Sequence, residues 1–303
     1  MNSRWWSVID SKLNESPLCG VLILNKPSGI TSREAVNQVQ RLVRPAKIGH
    51  TGTLDPLASG VLVLCLGAAT RLVEYVQRMP KTYLATFVLG RYSDTEDIEG
   101  NITVLPDPPI PTRQHVEAVL ENFRGTIIQQ PPVYSALKIR GRRACDLARQ
   151  GKPVELERRS ITIEELNIRN YNYPQLMLDV KCGSGTYVRS LGRDIGSALG
   201  TAAVMSSLER TAVGCFDISQ AETLEQLNHS NITNKLLPST FAVNLLEKMT
   251  LTETQQERIA RGMSIEQPPG ISDTEVAALN ANGQLVAILS KRENGLGPRK
   301  NFL

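Results

Sequence analysis

Gly49-His50-Thr51-Gly52-Thr53-Leu54-Asp55-Pro56-Leu57-Ala58-Ser59-Gly60 runs directly into Val61-Leu62-Val63-Leu64-Cys65-Leu66. The first part has neither the apolar stripe of a helix nor the alternation of a strand, and its Gly, Thr and Pro content reads as loop. The apolar residues that follow read as a buried strand. A loop from Lys47 to Ser59 therefore delivers one carboxylate, Asp55, to the mouth of a core strand, where a rigid scaffold can position chemistry. Alone, an Asp before Pro is a common turn-former; its weight comes from what surrounds it.

Upstream, residues 20 to 24 (GVLIL) form another apolar strand, ended by the turn Asn25-Lys26-Pro27-Ser28-Gly29. A helix follows: Thr31 and Glu34 fit a capping box, Val36, Val39 and Val43 recur at helical spacing, and Pro45 stops the pattern. Downstream, Tyr83 to Leu89 reads as a strand. Pro106, Pro108, Pro109 and Pro111 form a connection to a helix capped by Thr112, with Val116, Val119, Leu120 and Phe123 on one face. Leu176 to Cys182 alternates as a half-buried strand does. After Gly183-Ser184-Gly185 a helix carries Leu191, Ile195 and Leu199 to a stop at Gly200, with Arg189 near its start. Strands and helices are intermixed without a regular βαβ alternation, so an α+β fold on a mixed sheet is expected. A polar stretch at Asn228 to Asn234 and Pro238 precedes a β-rich tail that turns at Gly283-Gln284, read as a small separate domain.

Composition is that of a globular chain, 41% hydrophobic and 21% charged, which disfavours disordered and fibrous classes. The most apolar stretch, Gly60 to Ala69, is short of the roughly 20 residues of a spanning helix, and the N-terminus lacks a signal-peptide pattern, so a cytoplasmic protein without a membrane partner is expected. Cys19, Cys65, Cys145, Cys182 and Cys215 are dispersed without a C-x-x-C pair, and His50, His115 and His229 are equally scattered; no metal site is expected. Net charge is only +4, but Lys138, Arg140, Arg142, Arg143, Arg149 and Lys152 face a single acid, Asp146, over fifteen residues. Such a patch suits a polyphosphate partner, although a solvated helix face is the commoner reason for a charge run.

The run Gly49 to Gly60 resembles, almost residue for residue, the catalytic motif of TruB-type pseudouridine synthases. Leu24-Asn25-Lys26-Pro27-Ser28-Gly29-Ile30-Thr31-Ser32 resembles the family's first motif. Lys81-Thr82-Tyr83, followed by Gly90 and Asp94-Thr95-Glu96-Asp97, resembles its tyrosine motif, and Gly185-Thr186-Tyr187-Val188-Arg189 its arginine motif. Gln130-Pro131-Pro132-Val133-Tyr134-Ser135-Ala136-Leu137-Lys138 is similar to the start of the inserted thumb that grips RNA, and the tail from Leu251 is similar, less specifically, to a PUA-like domain. The resemblance implies a mainly antiparallel catalytic sheet over residues 1–247, with a thumb-like insertion at about 124–152, and a PUA-like domain over 248–303.

It also implies that one uridine, in the T stem-loop of transfer RNA at position 55, is isomerised without any cofactor by a monomer needing no protein partner. Moving uracil from an N-glycosidic to a C-glycosidic bond calls for a nucleophile on ring or sugar, and a carboxylate can form such an adduct. By resemblance Asp55 is that nucleophile. It has to be charged and poorly solvated at once, a state that a neighbouring arginine favours, and Arg189 is the matching residue. Tyr83 would lie against the base and assist proton transfer. His50 would stack within the RNA, Tyr187 would pack in the base pocket, Lys26 would meet a phosphate, and Lys138, Arg140, Arg142 and Arg143 would bind RNA. Lys291, Arg292, Arg299 and Lys300 are phosphate candidates in the tail. A uridine stacked in a loop has to be flipped out before any of this chemistry. Two other readings compete: a guide-RNA-dependent homologue that acts on ribosomal RNA, and a non-catalytic chaperone that only refolds transfer RNA.

Overall fold

In the computed structural model the described residues are 18–303 apart from 136, 140, 155, 272 and 273; for 138, 139, 143, 145 and 149 the backbone alone is described. Strands β1 (Gly20–Lys26), β2 (Ile48–His50) and β3 (Ser59–Leu66) pair first, β1 running antiparallel to β3 from Gly20 opposite Leu66 to Lys26 opposite Gly60. Leu22, Leu24, Leu62 and Leu64 pack on Ala35, Val36 and Val39 of helix α1 (Ser32–Val43), while Val21, Ile23, Val61, Val63 and Cys65 pack in a second cluster with Tyr75 and Val76 of α2 (Val73–Arg78). Cover on both faces is why these strands read as unbroken apolar runs rather than alternations. The capping box of α1 forms as expected: the Thr31 hydroxyl accepts from the Glu34 amide, and the Thr31 amide donates to the Glu34 carboxylate at 2.7 Å.

The chain continues through β4 (Lys81–Leu89), a hairpin of β5 (Arg91–Ser93) and β6 (Ile102–Val104), helix α3 (Arg113–Glu121) capped by Thr112, and β7 (Gly125–Gln129). Next come a hairpin of β8 (Lys138–Ile139) and β9 (Arg142–Arg143), helix α4 (Ala144–Arg149), β10 (Arg159–Asn172), β11 (Gln175–Cys182), α5 (Val188–Ala198), β12 (Ala203–Val213) and β13 (Phe216–Asp217). The main sheet has the order β1-β3-β12-β4-β11-β10-β7, antiparallel except where β12 meets β3. β7 pairs with β10 at the sheet edge, so the hairpin-and-helix excursion starts after Gln129 rather than at about 124. Helix α5 lies tight on β4 because position 192 is glycine; a Cβ there would sit 2.1 Å from the Phe87 ring.

The tail folds as β14 (Glu247–Thr250), α6 (Glu253–Ala260), β15 (Glu275–Leu279), β16 (Leu285–Arg292) and β17 (Gly295–Asn301), in one four-stranded sheet of that strand order. The turn expected at Gly283-Gln284 joins β15 to β16, closed by the Asn280 amide donating to the Gln284 carbonyl. This sheet has its own core around Leu251, Ile259, Val276 and Leu289, but Ala277 and Ile288 enter the same cluster as Tyr75 and Val76. The tail, with its own sheet and core, is therefore also docked on α2.

Candidate active site

Asp55 lies in the loop between β2 and β3, and the first turn of the chain holds that loop in place. The Leu54 amide donates to the Ser32 hydroxyl, which donates back to the Leu54 carbonyl; the Gly29 amide donates to the Pro56 carbonyl, and the Ser28 hydroxyl to the Leu57 carbonyl, each within 2.9 Å. The turn after β1 and the Asp55 loop are thus one hydrogen-bonded unit, although α1 intervenes between them in sequence.

Arg189, in the first turn of α5, reaches Asp55: its Nε is 3.0 Å from Oδ2. Its other nitrogens are occupied as well, Nη1 by the Thr95 carbonyl at 2.8 Å and by Asp97 Oδ2 at 3.3 Å, Nη2 by the Tyr134 carbonyl at 2.9 Å. The guanidinium is fixed on every side, as its planar fork permits and a lysine would not. The segment that supplies Thr95 and Asp97 is itself clamped to α5: the Ser190 hydroxyl donates to Glu96 at 2.7 Å, and Arg193 pairs with the same carboxylate. Burial pushes the Glu96 carboxyl above its ordinary range, partly offset by these two partners.

Asp55, Arg189, Tyr83, Tyr187, Leu54 and Leu208 line one cavity of about 310 Å³, at the lower end of the size usual for small-ligand sites. Tyr83 is buried on β4, and its phenol is pushed up by that burial. Tyr187 is the residue before α5, held at backbone level by Gln129, whose buried amide accepts from the Tyr187 N–H at 2.9 Å and donates to its carbonyl at 3.1 Å. The Arg159 guanidinium stacks 4.6 Å from the centre of the Tyr187 ring. Two buried polar atoms of the wall, the Ser135 hydroxyl and Arg159 Nε, have no partner.

His50 ends β2 and faces a different recess, shared with Arg33, Ser32 and Asp55. Its Nδ1 is buried without a partner, and burial, then Arg210 and Arg33, pull the imidazole below its ordinary range. Lys26 departs from expectation: it is wholly buried, its Nζ donating to the carbonyls of Pro27 and Ile30 at 2.7 Å each, and burial pulls it down to about 8. A lysine so enclosed shapes the turn after β1 and offers no face to a phosphate. Of the basic patch, Arg142 is exposed and donates to Gln150 at 3.2 Å; Arg140 lies outside the described residues, as do the side chains of Lys138 and Arg143. In the tail, Arg299 and Lys300 are likewise spent on ion pairs, to Glu275 and Glu74.

The sequence reading passed over Asp97 as a partner of Arg189, Gln129 as the holder of Tyr187, and Arg210, buried beside Tyr83. Asp97 lay inside a motif already noted. Nothing in the pattern around Arg210 marks it. Among the described residues no cluster of His, Cys, Asp and Glu has the arrangement of a metal site, and no helix is long and apolar enough to cross a membrane.

Residues 40–188 match the model of the TruB family pseudouridylate synthase N-terminal domain, and residues 189–249 that of the tRNA pseudouridylate synthase B C-terminal domain. Curated relatives include tRNA pseudouridine synthase B of Dehalococcoides mccartyi, 40% identical over 94% of this chain and 96% of the relative. That of Azoarcus sp. (strain BH72) is 42% identical over 82% and 84%. Among solved structures, the Cbf5-Nop10-Gar1 complex contains a chain that superposes with a TM-score of 0.75 at 26% identity, covering 94% of this chain and 85% of that one. A chain of the archaeal box H/ACA sRNP Nop10-Cbf5 complex gives 0.72 at 26%, covering 95% and 87%.

Proposed function

The chain belongs to the TruB family of pseudouridine synthases, and on that premise we propose that it isomerises the uridine at position 55 in the T loop of transfer RNA, with Asp55 as the nucleophile. One observation carries the reading: the carboxylate of Asp55, at the rim of a cavity floored by Tyr83, is paired at 3.0 Å with a guanidinium that has no freedom to turn away.

The target uridine flips out of the loop stack and enters this cavity. Asp55 bonds covalently to the nucleotide, the C1′–N1 bond breaks, the ring turns, C1′–C5 forms, and the bond to Asp55 breaks to return the free carboxylate. C5 loses a proton and N1 gains one, so the product is an isomer and neither electrons nor a donor group are consumed. Tyr83, buried beside Asp55, receives the C5 proton or passes it to water. Tyr187 gives the cavity wall an aromatic face for the base. His50, on the other side of the Asp55 loop, faces the RNA as a neutral ring suited to stacking in the space the base has left. The β8–β9 hairpin and α4 carry the basic patch that grips the stem. This excursion favours a stand-alone enzyme over one that relies on a guide RNA.

Purified protein incubated with an unmodified T stem-loop hairpin, followed by mapping of pseudouridine, tests the assignment. Product at position 55 of the transfer RNA numbering is expected; bound but unmodified RNA would leave a chaperone instead.

A further inference from the structure

Tyr83 is a partition. Its ring lines the cavity that holds Asp55, and also lines a second recess on its other side, where Arg210 stands. Arg210 is on β12 directly across from Tyr83 on β4, and a register shift between Arg210 and Ala212 sets the two side chains at this point of the sheet. Arg210 is buried, 3% exposed as a residue. Its Nε donates to the Val61 carbonyl at 2.7 Å and its Nη2 to the Gly52 carbonyl at 3.1 Å, so one end is tied to β3 and the other to the Asp55 loop. The backbone of Arg210 is equally confined, because a Cβ at Gly60 would lie 2.3 Å from the Arg210 carbonyl.

What distinguishes this arginine is the counter-charge it lacks. Among the described residues no carboxylate comes within 4 Å of its guanidinium, whereas Arg189 has two. A buried cation normally costs several kcal/mol unless paired, and its effect is visible in the surroundings: burial first, and this charge beside it, pull down the proton affinities of Lys26, His50 and Lys81. A fold that keeps such a charge beside one phenol has placed it where a negative oxygen would be stabilised.

We propose that Arg210 is a positioning residue for the reaction: its guanidinium, tied to β3 and to the Asp55 loop, holds an uncompensated positive charge across the strand pair from the Tyr83 phenol. The proposal rests on the proton-transfer role given to Tyr83 above. The groups facing the phenol are Arg210 from β12, Cys182 from β11 and Asp55 from the loop. Burial raises the phenol's proton affinity, Cys182 and Asp55 raise it further, and Arg210 is the opposing influence. Without Arg210 the phenol would hold its own proton more tightly, and less of it would be present as the phenolate that can take a ring proton.

The direct test reads the phenol itself. With 3-fluorotyrosine incorporated and the residue 83 resonance assigned through Tyr83→Phe, fluorine NMR follows its titration in the parent, Arg210→Met and Arg210→Lys. Arg210→Met is expected to move the titration upward, and Arg210→Lys to restore most of the shift because charge is kept. An unmoved titration in folded Arg210→Met overturns the proposal, and if that variant does not fold, Arg210→Gln, which also removes the charge, is judged by the same criterion. This readout needs no RNA, so it stands even where the pseudouridine assignment fails. On the hairpin substrate, Arg210→Met should slow single-turnover conversion by at least about tenfold, less than the roughly 10²-fold or more of a direct acid–base group because Arg210 acts through Tyr83. In the Tyr83→Phe background it should cost less than about threefold, as coupled residues do. Equal losses in both backgrounds would place Arg210 in the scaffold alone.

Discussion

At the mouth of the cavity one guanidinium, Arg189, serves two carboxylates, Asp55 and Asp97; on the flank of α2 three cations, Arg78, Arg299 and Lys300, serve two carboxylates, Glu74 and Glu275. The ratio is inverted, and so is the exposure. In the first cluster the arginine and Asp97 are buried and the open end is an acid, Asp55, with 37% of its side chain exposed toward the cavity. In the second, Glu275 is the buried member and the open ends are Arg78 and Arg299. Water and salt screen the second cluster and barely reach the first. The first leaves a fixed carboxylate open to the cavity; the second fastens the tail to α2.

Removing the open acid should have the largest effect. Asp55→Asn keeps size and hydrogen-bonding capacity and loses the charge, so product formation should fall by at least about 10³-fold, within the span of acid–base and nucleophilic contributions. RNA binding, measured by filter retention, should persist. Product at the parental rate, with deamidation excluded by mass spectrometry, would remove Asp55 from the chemistry. Arg189→Lys comes next: charge survives but the four-way fixation does not, and misplacing a reacting group can cost about 10²-fold. The loss should appear in single-turnover rate with little change in the RNA concentration giving half-maximal rate; the reverse split would make Arg189 a binding residue.

Much of the first cluster was legible because its parts sit in local motifs. Asp55 and Arg189 each follow a Gly-rich loop and precede or open a regular element, and such loops between core elements are where function concentrates. The strands that bring them together were harder to read. β10 and β12 were not anticipated: β10 is bulged between Ile163 and Glu165 and again between Ile168 and Asn170, and β12 between Met205 and Ser207 and between Arg210 and Ala212. Each bulge flips the alternation, so the two-residue period is lost although Ile161, Ile163, Leu166 and Leu208 are buried. Helix α6 was missed in a tail read as β-rich, although Thr252 and Gln255 form a capping box that the sequence displays. Lys26 was misjudged because a lysine beside Pro-Ser-Gly looks like a surface turn, and only the paired strands show its ammonium enclosed. The second cluster was illegible: Glu74 and Lys300 are 226 residues apart.

That second cluster gives a smaller effect with a different signature. Glu275→Gln removes the shared partner of Arg78, Arg299 and the Tyr75 hydroxyl. Partly exposed pairs are worth little individually, so about 1 kcal/mol of stability is expected, a fall of roughly 2–4 °C in melting temperature for a chain of this size. The difference from the parent should shrink in high salt, and the single-turnover rate should stay unchanged. Salt-independent loss would mean that apolar contacts of Ala277 and Ile288, not charge, hold the tail. Deleting the chain from Leu251 onward is a blunter test, since it uncovers Tyr75 and Val76 as well.

The smallest expected effect separates both clusters from cations that have no acid at all. Lys81, at the start of β4, donates its Nζ to the carbonyls of Gln77 and Met79. Burial, and then the like charge of Arg210, pull it from 10.5 down to about 8. Below about pH 8 it is protonated whether the chain is folded or not, and the fold bears the cost of a buried cation. Between about 8 and 10.5 the unfolded chain binds more protons than the folded one, so stability rises with pH across that window and levels off above it. Lys81→Met has no proton to release, so its denaturant midpoint should gain less between these pH values than the parent's. The difference is expected to be about 1–2 kcal/mol, less than the full shift would give because part of the side chain stays near solvent. A residual rise should remain in the variant from Lys26, which is pulled to about 8 in the same way. Identical pH slopes in parent and variant would show that Lys81 keeps its proton in the folded chain, and that carbonyls alone suffice to hold a buried ammonium where Asp55 and Asp97 hold Arg189.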